Sequence, residues 1–323
     1  MKPVYYDSII GGGIVLGLVA WLGFLLSIPI LSVFSLIAVI VLIWGSFIEP
    51  KIIETSYVPI HISKVHHEFT IAVLTDLHAG PYKKTDFFER VVEETMKLNP
   101  DMVVLVGDHT FNCVPNQEEV QYLTPLKKLT EKYPVYAVHG NHEYGLSDHL
   151  GTNPTQKRYA DVSEHTKKTL QSYGVTYLQN QILKLKVKNQ ELYLFGGDEV
   201  WANSLNYSSL ATRNTDFPLI ALIHNPVYLY HPHPSGIDLT ISGHTHGGQL
   251  RLPYIGPLAK PDAIIPKKLY QGLHEPERKG EYLFVSRGLG ESEPRARLFC
   301  IPEITLLTIS GQKASESSNQ QTT

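Results

Sequence analysis

The chain has 323 residues, room for one large domain or two, and 28 lysines and arginines against 31 aspartates and glutamates leave a formal charge of −3. A pI near 6.6 and the lack of a global basic surplus argue against nucleic acid as an electrostatic partner. Two cysteines, Cys113 and Cys300, are too few for a disulfide framework, and nothing else points to an oxidising compartment.

From Ser8 to Ile48 no charged residue occurs. One membrane span needs about 20 apolar residues, so this run of roughly forty would make a single helix of about 60 Å, twice the hydrocarbon thickness. Two spans are therefore expected, with a break at Ser27-Ile28-Pro29-Ile30-Leu31-Ser32, where the proline removes a backbone donor. Trp21, Trp44, Tyr5 and Tyr6 are placed to mark the interfaces. A cleaved signal peptide fits less well, because its apolar core runs to about 7–15 residues and no small-x-small cleavage site comes after it here. In a two-span hairpin Lys2 and Lys51 share one side, which indicates a cytoplasmic position for the catalytic domain.

Residues 49–67 read as a connector with an approach strand over 57–63. An apolar strand, 69–75, runs into Asp76-Leu77-His78. Apolar residues recur at helical spacing over 85–98, with Thr85 as a cap, and Asn99-Pro100 ends that helix. The second strand, 102–106, ends in Gly107-Asp108 and completes a βαβ unit. Residues 117–132 repeat the helical pattern, and a third strand, 135–139, leads to Gly140-Asn141-His142-Glu143. Residues 146–158 read as loop and 159–173 as helix. Further strands end in Asp198-Glu199, in His224-Asn225-Pro226 and in Ser242-Gly243-His244-Thr245-His246-Gly247-Gly248. Residues 251–279 lack periodicity and are expected to flank the site; 282–286 and 304–309 are closing strands, and 311–323 is a polar tail expected to be disordered. This alternation is that of an open α/β sheet.

Each of these strands hands oxygen or nitrogen donors to the loop beyond its carboxyl end, the usual place for chemistry in such sheets. The collected candidates are Asp76, His78, Asp108, Asn141, His224, His244 and His246. The glycines around His244 and His246 permit the tight bend that lets two imidazoles reach one centre. Carboxylate, amide and imidazole donors without cysteine suit divalent transition metals better than a closed structural zinc site, and a carboxylate such as Asp108 can be shared by two cations. Such a pair suits hydrolysis at phosphorus. His109 reads as a loop histidine, while Asp198 and Glu199 either reach the site or make structural hydrogen bonds.

In their order, Asp76-Leu77-His78, Gly107-Asp108, Gly140-Asn141-His142-Glu143, His224 and Gly243-His244-Thr245-His246 resemble the five motifs of the calcineurin-like metallophosphoesterase superfamily, over about residues 69 to 309. The resemblance implies an α/β fold, a four-layer α/β/β/α sandwich, here preceded by N-terminal transmembrane helices. It implies that Asp76, His78 and His246 hold one metal and Asn141, His224 and His244 another, with Asp108 shared and Mn²⁺ the expected ion. It also implies His142 as the general acid that protonates the leaving oxygen, a role open to imidazole near neutral pH. Purple acid phosphatases place a tyrosine where this chain has Phe111, and the Asp-Arg-Gly of serine/threonine phosphatases is missing, so both readings weaken.

The stretches 243–257, Ser286-Arg287-Gly288-Leu289-Gly290 and Cys300-x-Pro302-Glu303-Ile304 resemble a membrane-linked branch of that superfamily. The branch includes enzymes that split UDP-2,3-diacylglucosamine into UMP and 2,3-diacylglucosamine 1-phosphate for lipid A synthesis. This implies a membrane anchor over 1–50, a catalytic domain over 51–310 and a tail over 311–323, at the cytoplasmic face of a bacterial inner membrane. Arg251, Lys260, Lys267, Lys268, Arg287, Arg295 and Arg297 are candidates to hold a diphosphate, with Arg297 first. The alternatives are hydrolysis of another lipid-linked or cell-wall phosphoester, and a non-catalytic membrane scaffold, which would be expected to lack ligands.

Overall fold

Two apolar helices, α1 (Pro3–Ser27) and α2 (Pro29–Ile43), open the chain, and a π turn at Trp44–Ile48 and a 3₁₀ turn at Glu49–Lys51 continue the second. The computed structural model describes residues 3–27, 29–112, 118–147, 159–258, 264–276 and 278–311. Ser8–Leu26 and Ile30–Lys51 are each long and apolar enough to cross a membrane. The second helix begins at Pro29, a position where the missing N–H has no helical partner to lose. α1 folds back on α2 so closely that a Cβ on Gly17 would lie 2.4 Å from Val39 Cγ2, which makes the glycine part of the contact. Leu16, Val19, Leu26 and Phe34 face outward uncovered, unlike the core helix of a soluble domain.

The remaining elements are β1 (Glu54–His61), β2 (Phe69–Leu74), α3 (Thr85–Leu98), β3 (Met102–Val106), α4 (Lys127–Thr130), β4 (Val135–Val138), α5 (Ser163–Ser172), β5 (Thr176–Tyr177), β6 (Gln181–Val187), β7 (Gln190–Gly196), β8 (Leu219–Leu222), β9 (Leu239–Ser242), β10 (Arg251–Leu252), β11 (Gly256–Pro257), β12 (Gly272–His274), β13 (Tyr282–Val285) and β14 (Glu303–Ser310). One six-stranded sheet runs β1-β14-β2-β3-β4-β5, a second runs β12-β13-β9-β8-β7-β6, and β10 pairs only with β11. β2, β3 and β4 are mutually parallel, as are β7, β8, β9 and β13, so each sheet gathers its carboxyl ends at one edge.

Because β2 and β3 are covered on both faces, they read as continuous apolar runs rather than alternating ones. Ile71, Val73, Val104 and Val106 meet Leu194, Ile220, Leu222 and Ile241 between the sheets. The outer face of the first sheet packs Ala72, Leu74, Val103 and Leu105 against Phe88, Val91 and Val92 of α3. Phe195, Leu219 and Ala221 of the second sheet pack under 3₁₀ turns at Ser208–Thr212 and Pro226–Tyr230. The four layers are those expected, with the fourth formed by short 3₁₀ turns among the described residues.

The structure corrects several boundaries. The expected helix over 117–132 is a 3₁₀ stretch at Glu118–Leu126 followed by one α turn, because Pro125 inside it cannot donate to an α-helical ladder. α5 starts at Ser163, where Asp161 accepts from the Ser163 N–H and hydroxyl, and not at Tyr159. β5, β6 and β12 add strands that the sequence pattern does not announce. β6 alternates lysines with leucine and valine at an exposed edge, a short and half-polar pattern. Residues 148–158 and 312–323 lie outside the described residues.

Candidate metal centre

The carboxyl ends of β2, β3, β4, β8 and β9 converge on one point between the sheets. Asp76 and His78 follow β2, Asp108 follows β3, Asn141 follows β4, His224 follows β8, and His244 and His246 follow β9. Asp76, His78, Asp108, His244 and His246 all hold positive φ, between 44° and 68°. A left-handed conformation costs an L-residue about 1–2 kcal/mol, so it persists only where the surrounding fold over-determines it. The turns aim side chains inward that an extended strand end would point apart.

Buried donor atoms lie close together. His78 Nε2 is 3.1 Å from His246 Nε2 and 3.7 Å from Asp108 Oδ2, and His224 Nε2 is 3.2 Å from the same carboxylate oxygen. His246 Nε2 is 3.6 Å from Asp76 Oδ1, and His244 Nδ1 is 2.8 Å from Asn141 Oδ1. Donors on a cation with bonds of about 2.1 Å sit about 3 Å from one another, so these spacings are those of coordination edges. Three groups, Asp76 with His78 and His246, His78 with Asp108 and His142, and Asp108 with His224 and His244, each bring their ligand atoms within 4.8 Å of one another. The buried His224 Nε2 has the Asp108 carboxylate beside it at 3.2 Å, so imidazole and carboxylate stand side by side as two ligands of one cation would. The residues present therefore fit divalent metals.

Hydrogen bonds orient this set. His224 Nδ1–H donates to Val106 O at 2.7 Å, which turns the Nε2 lone pair inward. Asn141 Nδ2 donates to Leu146 O at 2.8 Å and so presents Oδ1 to His244. Asp76 accepts from the His244 N–H and the Thr75 hydroxyl, both at 2.9 Å. Glu143, which sequence reasoning placed in a motif without a role, accepts from the N–H groups of Gly140 (2.8 Å), Asp108 (3.0 Å), His109 (2.8 Å) and Thr110 (3.2 Å). It stitches the loop after β3 to the loop after β4; an ionisable side chain directly after a buried strand was its only sequence signal.

The charges follow from the same packing. Burial pushes His244 down to about 3, and burial with neighbouring imidazoles holds His78 well below its usual value. Burial and the Arg297 cation do the same for His246. These rings are neutral at pH 7, with lone pairs free to bind metal. Burial opposes ionisation of Asp108, yet the His224 and His142 rings beside it hold its carboxyl well below the carboxylate range; Asp108 in turn keeps His224 well above, against its own burial.

The His142 N–H donates to Asp108 Oδ1 at 2.9 Å, and its Nδ1–H donates to Phe111 O at 2.9 Å, leaving Nε2 to exchange a proton. Its ring stands edge-on to His78, 4.6 Å between centroids. Gly140 is fixed by this contact network: a Cβ there would lie 2.2 Å from Asp108 Oδ1. Gly140→Ala is expected to displace the carboxylate and reduce kcat/KM by on the order of 10²-fold, measured on a soluble aryl phosphodiester.

The expected phosphate-binding arginines are placed differently. Arg297 is 0% exposed; its Nη1 donates to Cys300 O (2.9 Å) and its Nη2 to Arg287 O (2.8 Å), Gly288 O (3.2 Å) and Gly290 O (2.5 Å). It is a buried clamp on the 287–300 segment, because backbone carbonyls surround it where a ligand would have to be. Arg287 ion-pairs with Glu54 and Glu303, both at 2.8 Å. Arg251 donates to Gly247 O and Lys267 to Pro257 O, while Arg295 lies over Tyr82 at 4.2 Å; Lys260 lies outside the described residues. His109 turns away to Val138 O at 2.9 Å, as a loop histidine would. Asp198 accepts from Tyr144 and Gln179, and Glu199 is buried beside it, so the structural alternative holds for Asp198. Trp201, which the sequence did not mark, packs edge-on to His244 at 4.6 Å.

Residues 69–248 match the family model described as Calcineurin-like phosphoesterase. The chain is similar to Uncharacterized metallophosphoesterase YkuE of Bacillus subtilis, 26% identical over 82% of this chain and 88% of that relative. It is 30% identical to Phosphodiesterase YaeI of Escherichia coli over 75% of this chain and 82% of that relative. A bovine relative, Transmembrane protein with metallophosphoesterase domain, is 29% identical over 81% of this chain and 57% of its own length.

Proposed function

This chain belongs to the calcineurin-like phosphoesterase family and is a hydrolase of phosphoester bonds; from that premise we propose that Asp76, His78 and His246 hold one divalent cation, Asn141, His224 and His244 a second, and Asp108 both. The observation that carries this reading is the position of Asp108 between two of the close donor groups. Mn²⁺ is the ion we assign. When bound, the two cations neutralise phosphoryl oxygens and provide a nucleophile from water. The side chains do the rest: Asn141 and Asp76 are held by their hydrogen bonds, and Phe111 and Trp201 pack against His78 and His244 at the edge of the cluster.

His142 is the proton donor to the leaving oxygen. Its Nδ1 is tied to a carbonyl, so the mobile proton sits on Nε2. His142→Ala is expected to reduce hydrolysis of alkyl esters by about 10²–10⁴-fold and that of nitrophenyl esters far less, since a good leaving group needs no proton. Equal losses across a leaving-group series would remove the assignment.

The substrate we propose is UDP-2,3-diacylglucosamine, cleaved to UMP and 2,3-diacylglucosamine 1-phosphate at the cytoplasmic face of a bacterial inner membrane. Two helices able to cross a membrane support a lipid-linked substrate, because catalyst and amphiphile then meet in two dimensions. The two lysines that flank the apolar run in the sequence, Lys2 and Lys51, support the sidedness. Release of UMP from that substrate by the full chain with Mn²⁺, and its absence without metal, is the expected result. Hydrolysis of an aryl diester with no UMP released would reject the sugar nucleotide and favour another lipid-linked or cell-wall diester. A non-catalytic scaffold is disfavoured because all seven donor residues are present.

A further inference from the structure

The loop that leaves the metal ligands carries large apolar side chains that the described residues do not cover. At the tip of the β10–β11 hairpin Tyr254 is fully exposed and Ile255 is 69% exposed; Leu258 beyond it is 52% and Phe299 opposite is 59% exposed. Tyr254 and Phe299 line one shallow recess with Leu252 and Pro253. The hairpin is fixed to the Phe299 strip, because the Arg251 N–H donates to Leu298 O at 2.9 Å and the Leu298 N–H to Gln249 O at 3.0 Å. Single exposed apolar residues are ordinary, but a contiguous group marks a contact surface.

The other edge of the same strip shows what covers it. The Arg297 N–H donates to Gly45 O at 2.8 Å, and the Cys300 N–H donates to Glu49 Oε1 at 2.6 Å. The Trp44 indole donates to Glu49 Oε2 at 2.8 Å, and the Arg295 guanidinium lies 5.3 Å from the Phe47 ring. Gly45 to Glu49 spans about 6 Å along a helix axis, and this is the end of the apolar stretch Ile30–Lys51. Phe299 therefore stands at the level of Trp44 and Ile48, where aromatic side chains of spanning helices meet headgroups.

We propose that the β10–β11 tip and Phe299 are a second membrane contact, inserted into the interface of the bilayer that α2 crosses, with lipid as the occupant. The proposal rests on the membrane-anchored reading above. Cys300 Sγ lies 3.1 Å from His246 O, and the hairpin begins five residues after His246, so this contact holds the cluster at headgroup height. A phosphoester in an amphiphile then reaches the site without leaving the membrane, and a phosphate buried among acyl chains or far out in solution is disfavoured.

The test is fluorescence quenching on the full chain in phosphatidylcholine and phosphatidylglycerol vesicles. An environment-sensitive fluorophore is attached, in a Cys113→Ser background, to Leu16→Cys, Ile255→Cys or Asn189→Cys. Leu16 lies within α1, and Asn189 is in the β6–β7 turn at the amino end of β7, opposite the site. Two quenchers are used: a nitroxide at carbon 5 of the lipid chain, near the depth of about 5–10 Å reached by interfacial segments, and one at carbon 12 for residue 16, which lies mid-way along the span Ser8–Leu26. The expected result is quenching at 16 and 255 several-fold stronger than at 189. Strong quenching at 16 with 255 no different from 189 would overturn the hairpin contact and leave the anchor standing. Absence of quenching at 16 would overturn the anchor, and the proposal with it.

Discussion

Asp108→Ala is expected to lower kcat/KM on a soluble aryl phosphodiester by on the order of 10³-fold or more, beyond the loss from one stabilising hydrogen bond. The size follows from the number of groups that this carboxylate serves. Its Oδ2 is 3.2 Å from His224 and 3.7 Å from His78, which come from different sheets, and its Oδ1 accepts from the His142 N–H. Removing it separates both donor groups and frees the loop that carries the proton donor. Asp108→Asn, which keeps the shape and one oxygen but not the charge, is expected to lose nearly as much. Steady-state kinetics at saturating Mn²⁺ check both variants, with thermal melting to establish that each is folded. Activity within ten-fold of the parent in either folded variant would contradict the shared-ligand role.

Arg297→Ala is expected to cost about 3–5 kcal/mol of stability, the range for breaking a buried charge interaction. For a chain of this size that is a fall in melting temperature of roughly 6–20 °C. Four carbonyls, of Arg287, Gly288, Gly290 and Cys300, would lose their donor inside the protein. The segment they belong to presses on the ligand loop, since a Cβ on Gly288 would lie 2.7 Å from Asp76 Cβ. Activity at saturating substrate should therefore fall as well. Arg297→Lys keeps the charge but has no planar fork to span these carbonyls, and should lose most of the stability too. A substrate-binding arginine behaves in the opposite way, raising KM while melting is unchanged, and that outcome would reinstate the phosphate-binding reading.

The difference between these two sites shows what a sequence carries. Asp76, Asp108 and His224 were legible because each follows a run of buried apolar residues, and the end of a parallel strand is a place that periodicity locates. Their convergence depends on positive φ at five of the seven donor residues, a conformation that Asp and His adopt more readily than most side chains but announce far less clearly than glycine. Arg297 misled because a basic residue near a phosphate site reads as a ligand, while its burial is set by carbonyls brought from positions 287 to 300. Pro125 was visible, yet its effect on the helix depended on whether packing would tolerate a 3₁₀ stretch. β6 and β12 went unseen since edge strands bury only half their side chains, and β1 begins three residues early because its partner β14 sets the register.

The metal content of the full chain, reconstituted with Mn²⁺ and freed of loosely held ions by gel filtration, tests the central claim most directly. Two ions per chain are expected for the parent, falling below one in Asp108→Ala. A parent that retains one ion or none, or an Asp108→Ala variant that retains both, would contradict the two-cation site.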